Sequence, residues 1–210
     1  MKKIAWFFSI VLHPLLMLNY GLFLVLYLHP FFNSRYYGEQ LNNFTYFLLA
    51  NTFFIPLLGI LILKQFKMID NFQISNHRQR TIPYIFIAVI LCFTIYQLQK
   101  NDMRGLPIYY ILSTIICLLC NIIINLKFGI SSHTIASGGF IALITYIVLF
   151  QHFSSFTYWL PISIALAGIS GFSRLWLEAH TTKQIYWGYT LGFIIMLSGI
   201  LIFEKWNILG

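Results

Sequence analysis

Apolar residues run through seven stretches of the chain, 4–28, 42–63, 82–98, 107–126, 134–151, 158–177 and 185–204. A helix needs about 20 apolar residues to cross the hydrocarbon of a bilayer. In lipid no water is present to satisfy backbone N–H and C=O groups, so such segments must bond internally as helices. Composition agrees, since only 9% of residues are charged and 59% are hydrophobic, where a soluble domain carries about 25% charged residues. The connections are short and no internal repeat is visible, which leaves no separate soluble domain. The expectation is an all-α integral membrane protein, one domain over residues 1–210, built as a bundle of about seven transmembrane helices. "MKKIAWFF" opens like a secretory signal, but the apolar run continues to Leu28 without an A-x-A-like cleavage site, so the segment reads as a retained helix. Pro14, Pro56 and Pro161 fall within or near the start of helices, where neighbouring groups can satisfy the freed carbonyls.

The connections sort by parity onto two faces. One carries the N-terminus, 64–81, 127–133 and 178–184; the other carries 29–41, 99–106, 152–157 and the C-terminus. Every dense polar cluster falls on the first face: "SNHRQRTIP", "KFGISSHT" and "SRLWLEAHTTKQ". That face holds nine Lys and Arg residues against four, which the positive-inside rule assigns to the cytoplasm. Setting aside Arg78, Arg80, Lys127 and Arg174 as substrate ligands leaves five against four. The net charge of +8 suits anionic headgroups or an anionic substrate; the cations are scattered at helix ends, which argues against nucleic acid.

Ionisable residues at membrane depth are costly and read by default as functional. The three clusters offer His133 and His180, with Arg174, Lys127, Arg78 and Arg80 as neighbours, and the hydroxyls of Ser131, Ser132 and Thr134 at a helix start. Helix N-termini bind phosphate through free N–H groups and the dipole. Arginine adds a planar fork for two phosphate oxygens. Two histidines allow one nucleophile and one proton donor. These parts suit phosphoryl transfer without a metal. No H-x-x-x-H or His/carboxylate pair stands at ligand spacing, and acidic residues number five, so no metal and no other cofactor is expected. Cys117 and Cys120 form a C-x-x-C, but within an apolar helix they read, with Cys92, as small core residues.

"SRLWLEAHTTKQIYWGYTLG" resembles the third signature of the phosphatidic acid phosphatase type 2 superfamily, which also holds the vanadium haloperoxidases: S-R, five residues, His, three residues, Asp, then a helix rich in small residues. Ser173, Arg174, His180, Gly188 and Gly192 match it. "ISSHTIASGG" resembles the second signature, P-S-G-H and small residues, through Ser131 and His133. The resemblance implies a divergent bacterial member: a six-helix core formed by the last six helices, plus an added N-terminal helix, in the bacterial inner membrane. It implies a lipid phosphatase, with a lipid phosphate monoester or pyrophosphate as substrate and membrane lipids as surroundings. His180 would attack phosphorus and become a phosphohistidine. His133 would protonate the leaving oxygen, and Arg174, Ser131 and nearby N–H groups, Ser132 among them, would hold the phosphate.

Three departures bear on this. Gln184 stands where the family has the Asp that orients the nucleophile; its amide oxygen, one turn after His180, can accept the Nδ1–H but supplies no charge. Glu178 is the nearby carboxylate that would substitute for it. Ile130 and Ser132 replace Pro and Gly of the second signature, and nothing matches the first signature, so Lys127, Arg78 or Arg80 would have to supply its cations. Two other activities fit the same residues: a phosphotransferase, or a silent relative that binds or moves an anionic lipid.

Simpler readings stand beside these. Thr181 and Gln184 fit a capping box, T-x-x-Q, which can coexist with a catalytic role for Gln184. Arg174 taken alone would snorkel to headgroups. His13, His29 and His152 have no supporting constellation, and Gly138, Gly139, Gly168 and Gly171 fit close helix packing.

Overall fold

The computed structural model describes residues 2–71, 74 and 77–208, with the side chains of His77 and Arg78 excepted. The described residues form helices and turns and contain no strand. In chain order the helices are α1 (Lys2–Val11), α2 (Pro14–Leu28), α3 (Pro30–Arg35), α4 (Gly38–Leu49), α5 (Ile55–Gln65), α6 (Thr81–Lys100), α7 (Leu106–Asn125), α8 (Ser132–Leu149), α9 (Trp159–Trp176) and α10 (Thr182–Lys205). A π-helical turn, Ala50–Phe54, joins α4 to α5 into one span, Gly38–Gln65. Six spans are long and apolar enough to cross a membrane, and α1 with α2 makes up to seven. Large apolar side chains such as Phe23, Val89, Phe172 and Trp187 stand exposed on the outside. This is the length, composition and surface of a multi-pass membrane protein.

The stretch 4–28 is not one helix. It breaks at Leu12 and His13, and α1 bends 49° from α2. Pro14 has no N–H to continue the ladder and starts α2 at its first position. His13 caps that start, its Nδ1 accepting the Leu15 N–H at 3.3 Å. Pro56 follows the π turn, whose looser ladder accommodates it, and Pro161 lies in the first turn of α9, where no N–H is needed.

Helix α8 is central: 67% of its span is buried, against 28% to 50% for the other spans. Its closest partner is α10. A Cβ on Gly188 would overlap Thr134 Oγ1, and one on Gly192 would overlap the Ile135 carbonyl, so the two backbones meet only because these positions are bare. Gly138, Gly139 and Gly171 are packed as expected, but Gly168 has open space around it. Cys117 is buried and Cys120 half-buried, whereas Cys92 is exposed on the outer surface rather than in the core.

The connections gather at two ends. At one, Arg80 bonds the Ile130 carbonyl, and the Ser131 N–H donates to the Gln184 carbonyl at 3.4 Å. At the other, the ring Nε2 of His29 and Gln151 Oε1 lie 2.8 Å apart, and the Tyr36 hydroxyl donates to the Asp102 carbonyl at 2.8 Å. Loops remote in sequence thus meet in the two groups that parity assigns.

Candidate functional site

The polar end is assembled by helix starts and stops. Ser131 is the residue before α8, fully buried, and its N–H reaches the carbonyl of Gln184 in the first turn of α10. Its Oγ has no hydrogen-bond partner among the described residues. Ser132 is not free: its Oγ lies 2.5 Å from the Tyr84 hydroxyl of α6. His133, in the first turn of α8, places Nε2 3.0 Å from the carbonyl oxygen of Ser9 and 3.4 Å from its hydroxyl. A carbonyl only accepts, so Nε2 carries the proton.

Arg174 ends α9 and is 3% exposed. Burial removes the snorkelling alternative. Its Nη1 donates to Ser9 Oγ at 2.7 Å, and its Nε is buried without a partner among the described residues. Arg80, 5% exposed, donates from Nε to the Ile74 carbonyl and from Nη1 to the Ile130 carbonyl, both at 2.9 Å. It therefore latches the loop before α6 onto the loop before α8. Among the described residues neither guanidinium is paired with a carboxylate. A buried cation without an anion is costly, and here two occur together with their fields overlapping.

His180 lies between α9 and α10. Its Nδ1 is 3.2 Å from Gln184 Oε1, which also accepts the Thr181 N–H at 3.0 Å. Gln184 N–H returns to Thr181 Oγ1 at 3.4 Å, so the capping box is complete and the same amide oxygen serves both tasks. That oxygen accepts, so the neutral ring protonates at Nδ1 and leaves a lone pair on Nε2. Burial first, and then the charges of Arg80 and Arg174, push the His180 pKa down to about 4, while the bond to Gln184 opposes the shift. His133 lies within Coulombic range of Arg174, His13 and His180. Two imidazoles and a guanidinium from two remote stretches of sequence therefore share one electrostatic neighbourhood.

The other expected residues fall as follows. Lys127 is exposed in the turn after α7 and is not drawn into the cluster. The Arg78 side chain lies outside the described residues. Glu178 is exposed with φ +52°, and the Nδ1 partner of His180 is Gln184, so Glu178 does not replace the family's Asp. No group of three or more His, Cys, Asp or Glu residues able to hold a metal occurs among the described residues.

Sequence reasoning missed three contributors. Ser9 joins Arg174 to His133 from α1. His13, set aside as unsupported, stands edge-on to His133 with ring centroids 5.4 Å apart. Tyr84 holds Ser132. The available signal was Ser9 and His13, two polar residues four apart in a largely apolar run.

Chemically, the cluster offers a bare imidazole nitrogen, a protonated imidazole nitrogen, two guanidinium groups and an unpartnered hydroxyl, with no carboxylate among the described residues to neutralise them. Such a set is suited to a tetrahedral oxyanion. Comparison with protein-family models, with curated proteins and with solved structures finds no match to this chain.

Proposed function

We propose that this protein is a membrane lipid phosphatase of the phosphatidic acid phosphatase type 2 kind, metal-independent and resident in a bacterial inner membrane. The observation that carries the reading is Arg174, a buried guanidinium without a carboxylate, held near His133 and His180. In this reading the Nε2 lone pair of His180 attacks phosphorus, and the bond from phosphorus to the lipid oxygen breaks. The leaving oxygen takes the Nε2 proton of His133, which enters the step as imidazolium, charge-balanced by the bound phosphate, and leaves it as neutral imidazole. Water then cleaves the phosphohistidine, with His133 accepting its proton. Arg174 and Ser131 bear the charge of the phosphoryl oxygens.

The test is phosphate release by purified protein in EDTA, from phosphatidic acid, phosphatidylglycerol phosphate, undecaprenyl pyrophosphate and lipid A phosphate. Release is expected from wild type and is expected to fall by about 10³ or more in His180→Ala, since losing a nucleophile removes most of the chemistry. Equal release by both proteins, or loss in EDTA, overturns the proposal. A second reading, a silent lipid-binding relative, is favoured by the neutral Gln184 beside His180. Lipid binding retained in His180→Ala, with no turnover in wild type, selects it.

A further inference from the structure

Helix α1 is lightly held. Only Ala5 and Ser9 among its residues are buried, and it packs mainly on α9. Ile4, Trp6, Phe7 and Ile10 point outward. Behind Ser9 lies the break at Leu12 and His13, where the 49° bend and Pro14 interrupt the ladder. A helix joined to the bundle through such a break can pivot there without disturbing the ladder of α2.

Ser9 nevertheless makes the central contacts of the polar end. Its hydroxyl accepts from Arg174 Nη1 at 2.7 Å, and its carbonyl accepts from His133 Nε2 at 3.0 Å. Two oxygens of one residue thus sit on the guanidinium and the imidazole, where two oxygens of a phosphate would sit. The match is incomplete. An arginine fork takes two oxygens, Ser9 offers the fork one hydroxyl, and Arg174 Nε stays buried and unpartnered. The Ser131 hydroxyl is left unpartnered at the start of α8 as well. A neutral serine satisfies this set less well than a tetrahedral anion would.

We infer that α1 is a displaceable plug: Ser9 occupies the phosphate position, and a phosphate group entering the site swings α1 away about the Leu12–His13 break. The inference rests on reading the cluster as a phosphate site. Ser9 then sets access to the site rather than taking part in the chemistry, and the phosphate of a lipid headgroup and free phosphate would displace it alike.

Orthovanadate, a tetrahedral phosphate mimic, is the probe. Its binding is titrated calorimetrically in wild type, Ser9→Ala, Ser9→Asp and Arg174→Ala. Maleimide labelling of Ala5→Cys, a position buried only while α1 is seated, reports the helix itself, in a background where Cys92, Cys117 and Cys120 are alanine. Removing the hydroxyl is expected to tighten vanadate binding about tenfold, and a carboxylate on Arg174 to weaken it by at least as much. Saturating vanadate is expected to speed labelling of Ala5→Cys, and adding Ser9→Ala to speed it without vanadate. Weaker binding in both serine variants would make Ser9 a ligand and overturn the plug, as would labelling indifferent to saturating vanadate; either result leaves the phosphate site intact. Vanadate binding in wild type and Ser9→Ala no tighter than in Arg174→Ala overturns the phosphate site, and the plug with it.

Discussion

His180 keeps its Nδ1 proton on the amide oxygen of Gln184, 3.2 Å away, while Arg80 and Arg174 add positive charge to its surroundings. With a pKa lowered to about 4, the ring is neutral at pH 7 and its Nε2 keeps the lone pair that the proposed nucleophile needs. Turnover that needs this free base is expected to persist well below pH 6 and to fall as the pH drops through about 4. Stability moves in the matching sense. The unfolded chain takes up this proton near 6.5 and the folded chain only near 4, so between those values the unfolded state holds more protons. Stability is therefore full above about pH 6.5 and declines as pH falls toward 4. Thermal unfolding at pH 7 and pH 5 checks this, because His180→Ala should lose less between the two than wild type does. Gln184→Asp places a carboxylate on Nδ1, which favours the imidazolium. The acidic limb of the rate profile is expected to move upward in pH and the rate to rise; an unmoved limb would show that position 184 does not tune the nucleophile.

Helices α8 and α10 bring that chemistry together, and bare glycine surfaces let them do it. Gly188 lies one helical turn beyond Gln184, and a Cβ there would overlap Thr134 Oγ1 and crowd the Ser131 carbonyl. The same crossing lets the Ser131 N–H reach the Gln184 carbonyl, which ties the start of the His133 helix to the start of α10. Gly188→Val is expected to cost about 1–3 kcal/mol by overpacking and to abolish turnover. Gly168→Ala, with open space around it, should leave both unchanged. Thermal unfolding in detergent, run with the phosphate-release assay, decides; a tolerated valine at 188 would mean that the crossing does not govern the site. The elements themselves were legible because each apolar run is a helix by physical necessity, and the capping box because it spans four residues. The break in 4–28 was not, since apolar composition runs through it unchanged and only the pairing of Pro14 with the His13 cap stops the ladder. Ser9 and His13 were obscured for a related reason: they reach His133 through the angle at which α1 and α2 dock, which no local pattern records.

Among the described residues the charged side chains divide between two ends, and the division follows from the cost of charge in hydrocarbon. The spans between the ends are mostly 18 to 24 residues, about 27–36 Å of helix, which matches a hydrocarbon core of about 30 Å. Arg80, Arg174, His133 and His180 all lie where a helix begins or stops, so an anion can meet them without crossing that core. A lipid brings its phosphate to this level and leaves its tails beside the helices, which is why a cluster here suits a lipid substrate better than a soluble one. The arrangement requires the loops around Thr182 and Ser155, both exposed, to lie on opposite sides of the membrane. Thr182→Cys and Ser155→Cys, each neutral in charge, can be placed in the background lacking the three native cysteines. In sealed vesicles of one orientation a membrane-impermeant maleimide is expected to label one of them, and the other only after the membrane is permeabilised. In the proposed reading, phosphate is released on the side on which Thr182→Cys reacts. Labelling of both from the same side would separate the polar end from the spans that assemble it, and a boundary site for a lipid phosphate could not then be built from these helices.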